Sequence, residues 1–247
     1  MSTSQVRQGP LSQGTILKSD SGHIYTIEEI LADRRKPLLC VYRASANKKN
    51  FIITNMIPGE FEYQLSLQKQ LSTCQNVRSV VDTVQEQELF IYPFLAGDLL
   101  RLSQKKISLE IRRDILRQAL RGLADMHDRD ILQNDIKPNN ILADYEEDTA
   151  GQVTINDVQI SDLEDTVIFP TGKWLRGPLC GNAIWRSTES WCRSRQNQAS
   201  DVFSFGIIML YVMLNEMVFR VTDEQLNSPD SWRHILRQHI SYFGDAD

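Results

Sequence analysis

What this chain has little of narrows the field first. Cysteine occurs four times in 247 residues, as Cys40, Cys74, Cys180 and Cys192, with no C-x-x-C and no paired spacing. A disulfide framework or zinc site needs tighter clustering, so the expectation is reduced thiols in an intracellular protein, cytoplasmic or nuclear. Long apolar runs are also missing. The longest, Phe205 to Leu214, is ten residues including a glycine, where a membrane helix needs ~20. The opening MSTSQVRQGPLSQG has no apolar core behind a basic start and does not read as a secretory signal. There is no excess of basic charge: 27 Lys and Arg stand against 32 Asp and Glu, a net charge of −5. That argues against a chain built to neutralise nucleic-acid phosphates, while leaving room for a local basic patch. Neither nucleic acid nor membrane is expected as a partner.

What is present reads as a folded protein. Hydrophobic residues make up 41% and charged residues 24%, the usual balance of a globular chain, and the length allows one large domain or two lobes. Residues 1–23 are rich in Ser, Gln, Gly and Thr and read as a flexible tail. From residue 24 to 95 short β-rich pieces follow one another: IYTIEEIL, LLCVYRA, NFIITNM, RSVVDTV and ELFIYPF. One helix, EFEYQLSLQKQL, is inserted among them, with Phe61, Leu65 and Leu71 at near-helical spacing. Residues 96–247 are mainly helical. Ile111, Ile115, Ala119, Leu123 and Met126, with Leu116 and Leu120 beside them, trace one face of a long helix for which Ser108 is the N-cap candidate. ASDVFSFGIIMLYVMLNE is apolar nearly all round, as a buried central helix would be, and SWRHILRQHISYF gives one more helix. The fold class expected is α+β, with a small antiparallel β lobe carrying one helix and a larger helical lobe.

The most informative stretch is Ile131-Leu-Gln-Asn-Asp-Ile-Lys-Pro-Asn-Asn-Ile-Leu142, followed by Ser161-Asp162-Leu163-Glu164. With Asp135, Lys137 and Asn140 at offsets 0, +2 and +5, it resembles the H-R-D-x-K-x-x-N catalytic loop and D-F-G metal motif of eukaryotic protein kinases. The wording IKPNNIL and DLED is similar to Ser/Thr protein-kinase-like proteins abundant in filamentous fungi. Gly181-Asn-Ala-Ile-Trp-Arg-Ser-Thr-Glu189 matches the family's activation-segment ending in length, and Asp201-Val-Phe-Ser-Phe-Gly206 matches the opening of its central helix. The resemblance runs from about Tyr25 to the C-terminus and implies the two-lobed kinase fold. It implies Asp135 as base, Lys137 on the transferring phosphoryl, and Asn140 and Asp162 as Mg²⁺ ligands. Asp201 would cap the catalytic-loop backbone and Asn182 would stand near Asp135. His127 reads as a packed helix residue rather than a ligand or base. ATP and Mg²⁺ are the implied cofactors, and Val41, Ile52, Thr54, Glu62, Tyr92, Phe94 and Leu142 the implied nucleotide-site positions.

The departures from that pattern fall mostly in the small lobe. Counting back from Val41 places Leu39, Lys36 and Arg34 at the three positions of the Gly-rich turn, where bulky residues keep backbone N–H groups away from phosphates. Arg34, Arg35 and Lys36 leave two readings open, a solvated basic hairpin or a phosphate contact. Ile52 stands where a small Ala covers the adenine, and Thr54 where the phosphate-binding Lys belongs. The helix glutamate is Glu62 or, in another register, Glu60. Lys48 or Lys49 could substitute only by a strand slip that reverses every side chain; Lys36 or Arg35 could reach in, as in the with-no-lysine kinases. Gln133 and Asn134 replace the catalytic-loop His and Arg, Leu163 the Phe and Glu164 the Gly of the metal motif.

The family's chains continue through further helices, one supplying an Arg partner for the glutamate at Glu189. A partner protein covering the large lobe is therefore an expectation beside a protein substrate. Three functional readings follow: a kinase-like protein of the Ser/Thr class with impaired or absent phosphotransfer and weak Mg–ATP binding, an active Ser/Thr kinase using Asp135 with a substitute for the missing Lys, and a marginally folded relative.

Overall fold

The computed structural model describes residues 10–35, 38–170, 172–177 and 179–244. The chain divides into two compact units, residues 1–73 with 78–95, and 74–77 with 96–247. No described helix is long and apolar enough to cross a membrane.

The first unit is built on a six-stranded antiparallel sheet in the order β1-β2-β3-β4-β6-β5. Its strands are β1 (Ile16–Lys18), β2 (Ile24–Arg35), β3 (Leu38–Ala46), β4 (Lys49–Asn55), β5 (Asp82–Val84) and β6 (Leu89–Pro93), with helix α1 (Phe61–Leu71) after β4. Successive side chains in a strand face opposite ways, and both faces are used. Ile53, Leu89, Ile91, Cys40 and Tyr42 enter one apolar cluster with Leu17, Tyr25 and Ile27. Phe90 turns to the other side, where it packs on Phe61 of α1, ring centroids 4.9 Å apart.

The flexible tail expected over residues 1–23 is corrected from Pro10 onward; residues 1–9 lie outside the described set. β1 pairs with β2, Leu11 and Leu17 are buried in the first cluster, and the Leu11 N–H donates to the Tyr42 hydroxyl at 2.9 Å. The turn after β1 is held by Asp82, which accepts from the Ser21 hydroxyl at 2.5 Å and the Tyr25 hydroxyl at 3.2 Å. A segment poor in apolar residues is ordered here because its backbone extends a sheet and two leucines anchor it.

The second unit holds β7 (Gly97–Asp98), α2 (Leu99–Leu102), α3 (Leu109–His127), β8 (Ile131–Leu132), β9 (Ile141–Glu147), β10 (Val153–Ile160), β11 (Val167–Ile168), α4 (Thr188–Trp191), α5 (Gln198–Leu214), α6 (Asp223–Leu226) and α7 (Ser231–Phe243). β10-β9-β7 form a small sheet, and β11 pairs with β8. Ser108 does cap α3, its hydroxyl accepting from the Ile111 N–H at 3.2 Å. Along α3, Ile115, Leu116, Ala119, Gly122, Leu123 and Met126 are buried, while Leu120 faces solvent. Gly122 has a steric reason: a Cβ there would lie 2.2 Å from the Asn76 carbonyl oxygen. That close approach ties Cys74–Val77, assigned by sequence to the small lobe, to the second unit. α5 is not buried all round. Phe205, Ile208 and Val212 are in the core, whereas Val202, Met209, Leu210 and Leu214 are exposed among the described residues.

Candidate active site

Between β8 and β9 the chain runs through a polar loop that places Asp135, Lys137 and Asn140 together. Both oxygens of the Asp135 carboxylate are held. Oδ1 accepts from the Asn182 backbone N–H at 2.9 Å. Oδ2 accepts from Lys137 Nζ and, at 3.2 Å, from Asn140 Nδ2, which also donates to the Asp135 carbonyl at 3.0 Å. Gly181 makes the approach of residue 182 possible: its φ is +74°, and a Cβ there would stand 3.0 Å from the Asn134 carbonyl oxygen.

Beneath the loop lies Asp201, 2% exposed at the start of α5. It accepts from the backbone N–H groups of Gln133 at 2.9 Å and Asn134 at 3.0 Å, and from His127 Nε2 at 3.0 Å. The capping role the resemblance implies for Asp201 is thus present in the geometry. His127 is half-buried and bonded to Asp201. Asn134, which takes the place of the Arg, adopts φ +66° and donates from its amide to the Asp165 carbonyl at 2.9 Å.

Gln133 was read from sequence only as the loss of a His. In the structure its amide joins the two acidic positions: Oε1 accepts from the Asp135 N–H at 2.7 Å, and Nε2 donates to the carbonyls of Asp162 at 2.9 Å and Ser161 at 3.3 Å. Its complete burial beside a loop of buried polar groups was the signal, and burial does not show in the sequence. Ser161 in turn ties the Asp162 segment to Asn140, donating to the Asn140 carbonyl from its N–H at 2.7 Å and its hydroxyl at 3.1 Å.

Asp162 has the left-handed φ of +56°, rare for a residue with a side chain and held here by the surrounding bonds. Burial pushes its carboxyl above the ordinary range, Lys137 pulls it down, and Asp135 and Asp165 push it up again. A divalent cation beside Asp162 would favour its charged form against that burial. Asn140, whose amide nitrogen is engaged on Asp135, has Oδ1 left as a donor to such a cation. A carboxylate and an amide oxygen suit Mg²⁺, which is commonly bound by one or two protein groups and completes its shell with water and phosphate. The donor set therefore fits the ion.

In the first unit, register brings together four of the positions assigned to nucleotide. Thr54 stands across from Val41 and Ile52 across from Tyr92, so all four share the sheet face opposite Ile53. All four are half-buried. The Thr54 hydroxyl donates to the Asn55 carbonyl at 3.3 Å. Phe94 follows the end of β6 and is exposed. Leu142, in the second unit, is half-buried on β9. Lys36 lies outside the described residues, while Arg35 bonds its neighbour Asp33 at 2.7 Å.

Glu62 is corrected. The buried positions of α1 are Phe61, Gln64, Leu67, Gln68 and Leu71, a stripe of period three to four from which residue 62 is displaced. Glu62 is exposed and accepts from Gln85 Nε2 at 3.1 Å. Glu60, the other choice, is also exposed and precedes the helix. The polar groups that α1 turns inward are Gln64 and Gln68; Gln68 Nε2 donates to the Tyr92 hydroxyl at 3.3 Å and its Oε1 accepts from the Val80 N–H at 3.0 Å.

Known proteins are similar to this chain in sequence. A calcium/calmodulin-dependent protein kinase type 1 of Macrobrachium nipponense is 28% identical over 144 residues, 56% of this chain and 39% of that protein. The serine/threonine-protein kinase pakG of Dictyostelium discoideum is 31% identical over 182 residues, 68% of this chain and 14% of that protein. An Aurora kinase of Eremothecium gossypii is 29% identical over 123 residues, 49% of this chain and 29% of its own length. The chain thus spans less than half the length of these relatives. The family model of the protein kinase domain matches residues 40–242, most of the chain, and with the two-lobed α+β fold this chain belongs to the protein kinase family.

Proposed function

We propose that this chain is a kinase-like protein of the Ser/Thr class in which phosphotransfer is impaired or absent, with Mg–nucleotide binding retained weakly by the second unit. The observation that carries this reading is Thr54. It lies on β4 across from Val41, at the position the resemblance gives to the family's phosphate-binding Lys, and a neutral hydroxyl bonded to its neighbour's carbonyl offers no charge to a phosphate. The glutamate that would pair with such a Lys is missing as well, since Glu62 lies on the outer face of α1. Phosphoryl transfer depends chiefly on positioned charge, and losing preorganised charge of this kind costs on the order of 10²–10³ in rate.

The assembled loop supports the alternative, an active Ser/Thr kinase. Asp135, held by three donors, would orient a substrate hydroxyl and take its proton. Lys137, bonded to that carboxylate, would hold positive charge beside the transferring group. Asn140 and Asp162 would hold Mg²⁺, which supplies neutralisation of phosphate charge when bound. Val41, Ile52, Tyr92, Phe94 and Leu142 would contact the base and sugar of ATP. A protein is the substrate class that the family implies.

A thermal-shift titration of the whole chain with ATP, with Mg²⁺, and with both separates the readings. A ligand that binds only the folded state raises its melting midpoint by mass action. A shift that needs metal and nucleotide together, with no phosphate transferred to a mixed protein substrate, is the expected result. Phosphate transfer at an ordinary kinase rate would overturn the impaired reading in favour of the active one. A cooperative melt with no shift would overturn nucleotide binding altogether.

A further inference from the structure

In a chain of net charge −5, one surface segment is locally basic. Between residues 166 and 200 there are five cations, Lys173, Arg176, Arg186, Arg193 and Arg195, and one acid, Glu189. The fold draws them together. Leu175 and Gln196 exchange backbone hydrogen bonds at 3.0 and 2.9 Å, which sets the segment 172–177 beside 193–196. Arg193, at a left-handed φ of +49°, reaches across from Nη1 to the Gly177 carbonyl at 3.1 Å. Arg195 lies over the Trp174 ring, 5.9 Å from its centroid.

Lys173, Arg176, Arg193 and Arg195 are exposed, as are Trp174 and Leu179. None of the four cations makes an ion pair among the described residues. At the buried end of the group Arg186 is bonded to the carbonyls of Cys180 and Gly181; burial holds it below its ordinary pKa, Cys180 and Asp135 pull it up, and Arg193 lowers it again. Surface arginines that face no carboxylate and crowd one another leave a local positive field that an incoming anion relieves.

Position supplies the second argument. The strand of chain that carries the patch ends on Asp135: Gly177 accepts from Arg193, and five residues later the Asn182 N–H donates to the Asp135 carboxylate. Five residues span at most ~18 Å. A polypeptide with a hydroxyl at Asp135 therefore reaches the patch with residues about five positions away.

We propose that Lys173, Arg176, Arg193 and Arg195, grouped around Trp174, form the surface on which an acidic segment of the protein substrate docks. This rests on the protein-substrate reading above and assigns it a chemistry: Asp and Glu side chains, spaced about five residues from the hydroxyl, pair with guanidinium groups while the peptide backbone packs on Trp174 and Leu179. A long polyanion is the poorer match, because it would extend past the patch onto a surface whose overall charge is negative.

The test uses the whole chain and three fluorescent serine peptides that differ only in five positions, all Glu, all Gln or all Lys, read by anisotropy beside a single-stranded oligonucleotide. The acidic peptide should bind ~10-fold or more tightly than the Gln peptide, with affinity falling as salt rises. The double substitution R193E/R195E should remove that preference, the milder R193Q/R195Q should weaken it, and R117E on α3 should leave it intact, each variant keeping its melting midpoint. Equal binding of the Gln or Lys peptide, or tighter binding of the oligonucleotide, overturns the proposal. So does an unchanged preference in R193E/R195E. Failure of the kinase-like reading is visible separately: with no midpoint shift on Mg–ATP that reading falls, while selective capture of the acidic peptide still stands on its own.

Discussion

The Gln133 side chain accepts from the Asp135 N–H at 2.7 Å and donates to the Asp162 carbonyl at 2.9 Å, so one neutral amide sets the spacing of the two acidic positions. Gln133 is fully buried, as is its bond from the Asp135 N–H, while the bond to the Asp162 carbonyl is partly buried. Gln133→Ala should therefore cost about 1–3 kcal/mol, because a buried donor and a buried acceptor lose their partner together. Urea unfolding of the two proteins measures it. Gln133→Leu, close in volume, should be as destabilising as Ala; if Leu restores stability, the contribution is packing rather than hydrogen bonding.

Asp201 carries a larger share of the same loop. Its carboxylate is 2% exposed and serves two backbone N–H groups and His127. Asp201→Ala leaves three donors without an acceptor and should destabilise by about 3 kcal/mol or more, in the range found when one member of a buried charged network is removed. A fall in melting midpoint well beyond that of His127→Ala is the expected pattern, since His127 supplies only one of the three bonds.

A pH dependence follows from His239 on α7. It is 1% exposed and stacks on Phe219, ring centroids 3.8 Å apart, with Trp191 and Phe203 around it. Burial lowers its pKa to about 4, with Arg186 adding to the shift and the Ala183 and Ile184 backbone opposing it. The unfolded chain binds this proton near the ordinary pH of 6.5 and the folded chain only near 4, so the stability contributed by the neutral ring is present above 6.5 and lost as pH falls towards 4. The loss amounts to ~3 kcal/mol at most. Urea unfolding of the wild type and His239→Phe across pH 7.5 to 4 should show the wild type losing more stability than the variant; parallel curves would mean that His239 does not titrate in this range.

Much of this was legible in the sequence and some was not, for reasons particular residues show. Asp135, Lys137 and Asn140 could be placed because they lie within six residues of each other, and local spacing fixes their geometry. Thr54 and Val41 are assigned separately, each from the strand pattern and the resemblance, and that they stand opposite one another on β3 and β4 is a long-range pairing that local sequence does not show. Glu62 was misplaced by about half a turn, since α1 is weakly amphipathic and two glutamines, Gln64 and Gln68, take the buried positions. Leu120 and the outward side of α5 read as buried from hydropathy alone, but which side of an apolar helix meets a neighbour depends on what packs against it. Residues 10–23 looked too polar to be ordered, and long-range contacts make them so: the pairing of β1 with β2, the burial of Leu11 and Leu17, and the bonds to Asp82 and Thr83.

Those bonds give a test in the first unit. Asp82 is held by Ser21, Tyr25 and Thr83, and despite burial its carboxyl lies below the ordinary range. Tyr25 is pushed up to about 12 by burial and by Asp82. Asp82→Asn should release part of the second shift, so that the Tyr25 phenol titrates at lower pH in a difference absorbance titration, and should cost about 1–3 kcal/mol in stability. Deleting residues 1–23 should destabilise comparably or more, because it removes β1, Leu17 and the Ser21 hydroxyl at once. Unchanged stability on deletion would mean that the segment is not part of the folded unit.

The loss of charge at Thr54 and the retention of Asp162 make opposite predictions about nucleotide. Thr54→Lys puts an ammonium on the face shared with Val41, Ile52 and Tyr92. If that face meets the phosphates, affinity for Mg–ATP should rise about tenfold, as expected when a preorganised cation is restored to an anionic ligand. No gain would mean that Ile52 closes the site or that the phosphates lie elsewhere. Asp162→Ala removes the carboxylate best placed to hold the metal, so binding that requires Mg²⁺ should vanish while any binding of metal-free nucleotide persists. The double variant separates the two roles. If Thr54→Lys still raises affinity in the absence of Asp162, the lysine acts on phosphate directly; if the gain disappears, it depends on a metal-organised phosphate. Isothermal titration of the four proteins with and without Mg²⁺ reads both effects in one cycle.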